Sequence, residues 1–229
     1  MKAESKTRNG AGESVRRGRV LVCFAVKEEG APFKRLTRGW AQIRTLLTGI
    51  GARNAEWSLR AALERESPQL ILSCGFAGGL RPGLTSGTVV FGPEENPALA
   101  KALTKAGAQA GWFHCAERVA STAAEKRALW ESTQADAVEM ESQIICNICR
   151  EHNVPCAVVR VILDTAEEDL PLDFNLLMTA EQKMDNGKLA KAILKSPGKI
   201  GALLRLQKRS KSAAARLARV LGQVLDPRL

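Results

Sequence analysis

Short apolar runs rich in β-branched residues alternate with glycine turns and helical patterns along most of this sequence. Residues 19–26 (RVLVCFAV) are typical of a buried strand, and residues 43–48 form a second such run. The second run ends in a glycine turn at 49–51, after which apolar residues at helical spacing predict a helix over 52–66. Residues 70–73 repeat the strand pattern. This alternation predicts an α/β protein, a three-layer α/β/α sandwich with a mostly parallel or mixed central sheet.

The remaining elements follow from the same patterns. Glycine-rich segments predict turns at 75–79 and 83–87. Further strands are predicted over 88–91 and 157–162, and helices over 97–110, 122–133, 137–152 and 199–224. We therefore expect a flexible basic leader (1–18), one domain (19–196) and a basic amphipathic C-terminal helix (197–229). In such sandwiches ligands bind at the carboxyl ends of the strands.

The net charge of +10 is concentrated at the two ends of the chain. Residues 1–38 carry +6 and residues 199–229 carry +7, which leaves −3 for the middle. A nucleic-acid-binding face would interleave basic and aromatic side chains, and tyrosine is absent here. We therefore do not expect nucleic acid as a partner. A solvated basic helix is the simplest interpretation of the C-terminal segment, with peripheral association with an acidic membrane as the alternative.

The cysteines and the polar N-terminal residues both indicate an intracellular protein. Most of the six cysteines lie in apolar runs, so we expect buried free thiols rather than disulfides. Cys146, Cys149 and His152 have ligand-like spacing, but no second pair completes a zinc site, and we predict no metal. The polar residues at the N-terminus contain no apolar run of signal-peptide length, and we expect a cytoplasmic location.

Three acidic residues follow or interrupt apolar segments, where an unpaired carboxylate is costly to bury. Glu29 follows the first strand, Glu141 lies near the start of an apolar helix, and Asp164 follows the strand at 157–162. If the sheet is parallel as predicted, all three converge on one edge. Structural salt bridges or a helix-start acid explain each of them individually.

Four segments together resemble the nucleoside phosphorylase and nucleosidase family. They are LTGIGARNA (47–55), LILSCGFAGGLRPGLTSGTVV (70–90), VEMES (138–142) and RVILD (160–164). Their order and spacing also agree with that family over roughly residues 19–196. Within it, the sequence is most similar to hopanoid-associated phosphorylases and then to the nucleosidases that cleave methylthioadenosine and adenosylhomocysteine.

This resemblance implies cleavage of the N-glycosidic bond of a purine nucleoside, with an adenine-type base. It implies that Glu141 and Met140 bind the ribose, that Asp164 protonates the base at N7, and that Glu29 activates water. The other residues that it assigns are Ser73 and Gly75 in the nucleophile pocket, and Phe76, Ala77 and Val119 around the base. No cofactor is implied, although phosphate would be the co-substrate of a phosphorylase. Relatives of this kind form homo-oligomers.

Two departures from the family pattern keep an alternative open. Leu163 replaces the small hydroxyl residue that many relatives have before the aspartate, and the stretch after 87–91 that helps to cover the 5′ side of the sugar is shortened. A shorter cover favours a large 5′ substituent. The alternative is a catalytically weak nucleoside-binding protein of the same fold.

Overall fold

A mixed eight-stranded sheet forms the centre of the computed structural model, which describes residues 18–92 and 96–228. The leader predicted over 1–18 lies outside the described residues, apart from its last position. The strands are β1 (Val20–Phe24), β2 (Ile43–Leu47), β3 (Leu70–Gly79), β4 (Val89–Phe91), β5 (Gln109–Ala110), β6 (Phe113–Cys115), β7 (Ala137–Glu139) and β8 (Cys156–Asp164). The helices are α1 (Lys27–Leu36), α2 (Ala52–Leu63), α3 (Pro97–Lys105), α4 (Ala123–Thr133), α5 (Ser142–Glu151), α6 (Phe174–Leu177), α7 (Asn186–Lys195) and α8 (Ile200–Leu225), and a 3-10 turn, Pro197–Lys199, precedes α8.

The strand order is β2-β1-β3-β8-β4-β5, and β7 pairs with both β3 and β6. Strands β2, β1, β3 and β8 are parallel to one another, whereas β4 runs antiparallel to β8. The end of β3 also pairs antiparallel with β7. The carboxyl ends of β1, β3 and β8 therefore meet at one edge of the sheet.

Alternating side chains of β1 divide the core into two layers. Val20, Val22 and Phe24 belong to the larger core cluster, which includes residues of α1, α3 and α8. Leu21 and Cys23 belong to a second cluster, formed with α2 and α5. Helices thus cover both faces of the sheet. Successive side chains of a strand point to opposite faces, so a fully buried strand needs packing on both. The predicted three-layer sandwich is confirmed.

Helix α8 consists of a buried half and an exposed half. Leu217 and Leu221 are fully buried in the larger core cluster, whereas Leu204, near the start of the helix, is 60% exposed. The helix spans Ile200–Leu225, close to its predicted bounds. Its second half belongs to the core of the sandwich. No helix among the described residues is long and apolar enough to cross a membrane.

Two predicted elements are wrong in a way that matters for the site. Residues 137–152 form β7, a short turn and then α5 rather than one helix, because Ala137 and Val138 pair with the glycines at the end of β3. The glycines at 75–79 belong to β3 itself and do not form a turn.

Helix α1 was not predicted at all. It contains Gly30 and Pro32, two residues that are unfavourable inside helices, and these mask its apolar positions in the sequence. This helix carries one of the candidate acids, Glu29, close to its N-terminus.

Candidate functional site

Arg160 in β8 is the centre of a buried group of charged side chains. It is 1% exposed, and its guanidinium donates to the Ser73 hydroxyl (3.2 Å) and to the Cys74 carbonyl (3.3 Å). The Nη2 atom also forms ion pairs with Glu139 and with Glu141, the second at 3.3 Å. A guanidinium removed from water needs such partners to remain charged. We call Glu29, Glu139, Glu141 and Arg160 the Arg160 cluster.

Glu141 directly precedes α5 and is fixed through both carboxylate oxygens. The Gly51 N–H donates to its Oε1 (2.8 Å), and Arg160 contacts its Oε2. Burial raises the pKa of Glu141, and the Arg160 guanidinium opposes this rise without cancelling it. Met140, beside it, is also buried. The glycine turn and the start of α5 thus position an acceptor at the edge of the sheet.

Glu139 at the end of β7 holds the same turn together. Its carboxylate accepts hydrogen bonds from the Glu141 N–H (3.1 Å), the Ser142 N–H (2.8 Å) and the Ser142 hydroxyl (2.6 Å). Burial alone would raise the pKa of Glu139, but the Arg160 guanidinium and the Ser142 hydrogen bonds outweigh it and keep the pKa below its usual value. Glu139 is therefore the ionised partner that neutralises Arg160.

Glu29 reaches the cluster from the first turn of α1. Its Oε1 accepts from the Phe76 N–H (2.8 Å), and its Oε2 accepts from the Ala25 N–H (2.9 Å) and the Val26 N–H (3.2 Å). Burial raises the pKa of Glu29 to about 7, although Arg160 and the backbone hydrogen bonds oppose the rise. A carboxylate with this pKa can exchange protons at neutral pH.

Gly75 leaves the space in which Glu29 and Arg160 approach each other. A Cβ atom at this position would lie 2.6 Å from Arg160 Nη1 and 2.7 Å from Glu29 Oε1, and the φ of +153° is one that other residues rarely adopt. The glycine-rich part of β3 is thus explained by close approach of side chains rather than by a turn. Ser73, two residues earlier, is completely buried against Arg160.

Asp164 at the end of β8 forms a second charged site with a lysine. Lys126 of α4 forms an ion pair with Asp164 Oδ2 and donates to the carbonyls of Thr165 (2.9 Å) and Glu168 (2.7 Å). The Lys126 side chain is fully buried and that of Asp164 is 8% exposed. Burial raises the pKa of Asp164 even though Lys126 opposes it.

A cavity of about 240 Å³ adjoins Asp164 and the exposed half of α8. Leu170, Pro171 and Leu206 give it apolar walls. At its charged side, Arg209 of α8 forms two hydrogen bonds with the Glu168 carboxylate, at 2.6 and 3.0 Å. The cavity therefore combines apolar walls with a charged side that includes Asp164.

The three residues assigned to the base lie in different surroundings. Phe76 is half-buried and packs on the larger core cluster, and Ala77 is buried in a smaller one. Val119 is half-buried, and its backbone N–H and carbonyl both bond to the Asn175 side chain at 2.9 Å. Their contact with a base stays a prediction.

A turn at 179–182 covers the glycine turn beside Glu141. A Cβ atom on Gly51 would lie 1.9 Å from Gln182 Oε1, so this side chain rests directly on the glycine. The Asn54 side chain donates to the Glu181 carbonyl (2.9 Å) and to the Ile50 carbonyl (2.8 Å). These contacts close the site on the side of α2.

Comparison with known proteins shows which family and which enzymes this chain is similar to. The family model described as "Phosphorylase superfamily" matches residues 96–195. A 5′-methylthioadenosine/S-adenosylhomocysteine nucleosidase from Anoxybacillus flavithermus is 26% identical over 168 residues, which are 58% of this chain and 72% of that protein. A nucleosidase of the same name from Shewanella oneidensis is 26% identical over 162 residues, 56% of this chain and 69% of its own.

Solved structures of similar proteins share the fold. The nucleosidase of the same name from Neisseria meningitidis, in complex with methylthio-immucillin-A, has a TM-score of 0.66 at 18% identity and covers 90% of this chain and 97% of its own. Futalosine hydrolase of Helicobacter pylori has a TM-score of 0.61 at 16% identity, over 88% and 96% of the two chains. The chain is thus similar to the phosphorylase superfamily over residues 96–195 and shares the fold of these nucleosidases.

The family match and the similar nucleosidases confirm the resemblance seen in the sequence. The matched range contains Glu139, Glu141, Arg160 and Asp164, whereas Glu29 lies outside it. The hydrogen bond from the Phe76 N–H of β3 holds Glu29 at the same edge of the sheet. The oligomeric state that relatives suggest stays a prediction.

Three charged residues of the site were missed as candidates in the sequence. Arg160 could have been found, because an arginine inside the apolar strand CAVVRVILD must be paired if it is buried. Glu139 precedes Glu141 at the same apolar segment, and assigning it to a helix hid its role. Lys126 carries no comparable signal, since it lies on a helix with many polar residues and resembles a surface lysine.

Replacing Arg160 with methionine should destabilise the fold strongly. The variant leaves the carboxylates of Glu139 and Glu141 buried without their cation, which we expect to lower the free energy of unfolding by about 3–5 kcal/mol. Chemical denaturation measures the loss. Arg60→Met is the matched control, because Arg60 pairs with Glu151 on the surface, and it should leave stability nearly unchanged. Equal losses in the two variants would contradict the central role of Arg160.

Proposed function

We propose that the protein hydrolyses the N-glycosidic bond of an adenine-type purine nucleoside and releases the base. The observation that carries this proposal is the Arg160 cluster, in which Glu29 and Glu141 meet at the edge of the sheet where β8 also places Asp164. The relatives that share this fold are nucleosidases and a hydrolase by name.

The two charged sites fit the charges that develop as the bond breaks. Positive charge grows on the ribose ring and negative charge on the departing base. Glu141 accepts hydrogen bonds from the ribose hydroxyls, with Met140 beside the sugar. Asp164 gives its proton to N7 of the base, which takes the electron pair of the broken C1′–N9 bond. Phe76, Ala77 and Val119 are the residues we assign to the surroundings of the base.

The charge of the Arg160 cluster favours water over phosphate as the acceptor. Three carboxylates surround one guanidinium, and Arg160 is already paired with Glu139 and Glu141. A phosphate dianion near Ser73 and Gly75 would face a net negative cluster, whereas water needs only a base. Glu29, with a pKa of about 7, accepts a proton from the water while the water oxygen bonds to C1′. The reaction then requires no cofactor.

Base release in the presence and absence of phosphate tests the proposal. Adenosine, 5′-methylthioadenosine, inosine and guanosine are incubated with the protein, and the products are separated by chromatography. We expect free adenine and a free sugar from the adenine nucleosides without phosphate. Release that depends on phosphate and yields ribose 1-phosphate would identify a phosphorylase instead. Tight binding without release would identify a nucleoside-binding protein.

The pH dependence of kcat/KM should report the state of Glu29. Because burial raises its pKa, the carboxylate that accepts the water proton is present above pH 7 and is lost as the pH falls through about 7. We expect kcat/KM to decrease on the acid side of this pH. Glu29→Gln should lower kcat by roughly 100-fold or more.

Glu28→Gln is the matched control, since Glu28 is the exposed neighbour on the same helix turn. This variant should keep the wild-type kcat and the decrease of kcat/KM on the acid side of pH 7. An acid limb that is unchanged in Glu29→Gln would remove Glu29 from this role.

The exposed surface of α7 and the first half of α8 suits an acidic membrane. Leu194 is 81% exposed and Leu204 is 60% exposed, and no acidic residue occurs between positions 186 and 211, which contain eight basic ones. Apolar side chains set among cations favour the interface of anionic lipids. We propose a cytoplasmic protein that binds such a membrane peripherally, with the cavity beside Asp164 near the bound surface.

Vesicle co-sedimentation tests membrane binding. The full chain should sediment with vesicles that contain phosphatidylglycerol and remain in the supernatant with phosphatidylcholine alone, and added salt should weaken the binding. The double variant Leu194→Ser, Leu204→Ser should lose most of it. Leu47→Ser is the control, because Leu47 is 53% exposed on β2, outside this surface. Equal sedimentation of both variants would contradict the assignment of the surface.

A further inference from the structure

Lys126 is a lysine with no exposed surface, and every acceptor around its ammonium lies at the end of β8 or just beyond it. Its Nζ contacts Asp164 Oδ2, the Thr165 carbonyl (2.9 Å) and the Glu168 carbonyl (2.7 Å). Lysines are almost never completely buried without such partners, because the loss of hydration is costly. Three acceptors match the three hydrogens of an ammonium group.

We propose that Lys126 is the positioning residue of Asp164, holding its carboxyl group toward the base and stabilising the carboxylate that remains after proton donation. This inference rests on the proposed function, since it assigns a task to a residue that does not itself touch the substrate. The two carbonyls fix the ammonium, and the ammonium in turn fixes one carboxylate oxygen. Leu163, the residue before Asp164, has no polar group that could do the same.

Three charged residues, Lys126, Glu168 and Arg209, act on the carboxyl group of Asp164. Glu168 follows β8 and Arg209 comes from α8, and both influence the carboxyl group of Asp164 electrostatically. Arg209, however, is engaged by the Glu168 carboxylate through two hydrogen bonds. Lys126 of α4 is the cation in direct contact with Asp164.

The ammonium changes the energy of the proton transfer. When the O–H bond of Asp164 breaks and the proton bonds to N7, the carboxyl group becomes an anion in a buried place. An adjacent cation stabilises this anion more than it stabilises the neutral acid, so it lowers the barrier. Without Lys126, Asp164 is a weaker acid and its carboxyl group is free to rotate.

Kinetics of Lys126→Met, Asp164→Asn and the double variant test this inference. In Lys126→Met we expect kcat to fall about 100-fold, with KM changed only slightly, because Lys126 does not contact the nucleoside. The limb of the pH profile that belongs to Asp164 should move to higher pH, since the cation that opposes its raised pKa is gone. In the Asp164→Asn background, Lys126→Met should cause almost no further loss.

The controls separate positioning from packing. Arg127→Met replaces the exposed neighbour on the same helix and should leave rate and pH profile unchanged. Lys126→Gln keeps a donor for the carbonyls but removes the charge. It should fold, as circular dichroism and the Tm report, and should still show the loss of kcat and the shifted limb.

The outcomes distinguish this inference from the proposed function. Base release by the wild-type chain that is lost in Asp164→Asn supports the proposed function. An unmoved limb in Lys126→Gln, or equal losses from Lys126→Met with and without Asp164, would then overturn the role of Lys126 alone. A wild-type chain that releases no base from any nucleoside would overturn both.

Discussion

The ion pairs of Arg160 are the interaction on which the rest of the site depends. A guanidinium that is 1% exposed is tolerated at the centre of a sheet because it is paired with Glu139 and Glu141. Those partners come from one short turn between β7 and α5, so the pairing also fixes where α5 begins. The buried charge therefore specifies the geometry of the sheet edge in addition to any chemistry it performs.

Small residues make this concentration of charge sterically possible. Gly75 leaves room for Glu29 beside Arg160, and Gly51 lends its backbone N–H to Glu141 while Gln182 packs on its other side. A side chain at Gly75 would collide with Arg160 and Glu29, and one at Gly51 would collide with Gln182. Gly75 in particular allows the short distance between Arg160 and Glu29.

The sequence predicted the layers of the fold well and the site only in part. Strand and helix periodicity is a local property, so the sandwich and the positions of Glu29, Glu141 and Asp164 near strand ends could be inferred from it. Which charges pair is a property of the folded sheet. The structure pairs Glu141 with Arg160, whose charge also acts on Glu29, and it gives Asp164 a different partner, Lys126, which lies 38 residues earlier in the chain. No local pattern contains that contact.

Burial raises the pKa of both Glu29 and Asp164. The contacts of the two carboxyl groups differ, and the difference suits the separate roles that we propose for them. Backbone N–H groups donate to both oxygens of Glu29 and oppose the effect of burial by stabilising its carboxylate form, the form that the proposed proton acceptor needs. Asp164 faces one ammonium whose favourable interaction grows when the carboxyl group loses its proton. In the proposed reaction the two acids therefore act in opposite directions at the same pH, because Glu29 receives a proton and Asp164 releases one.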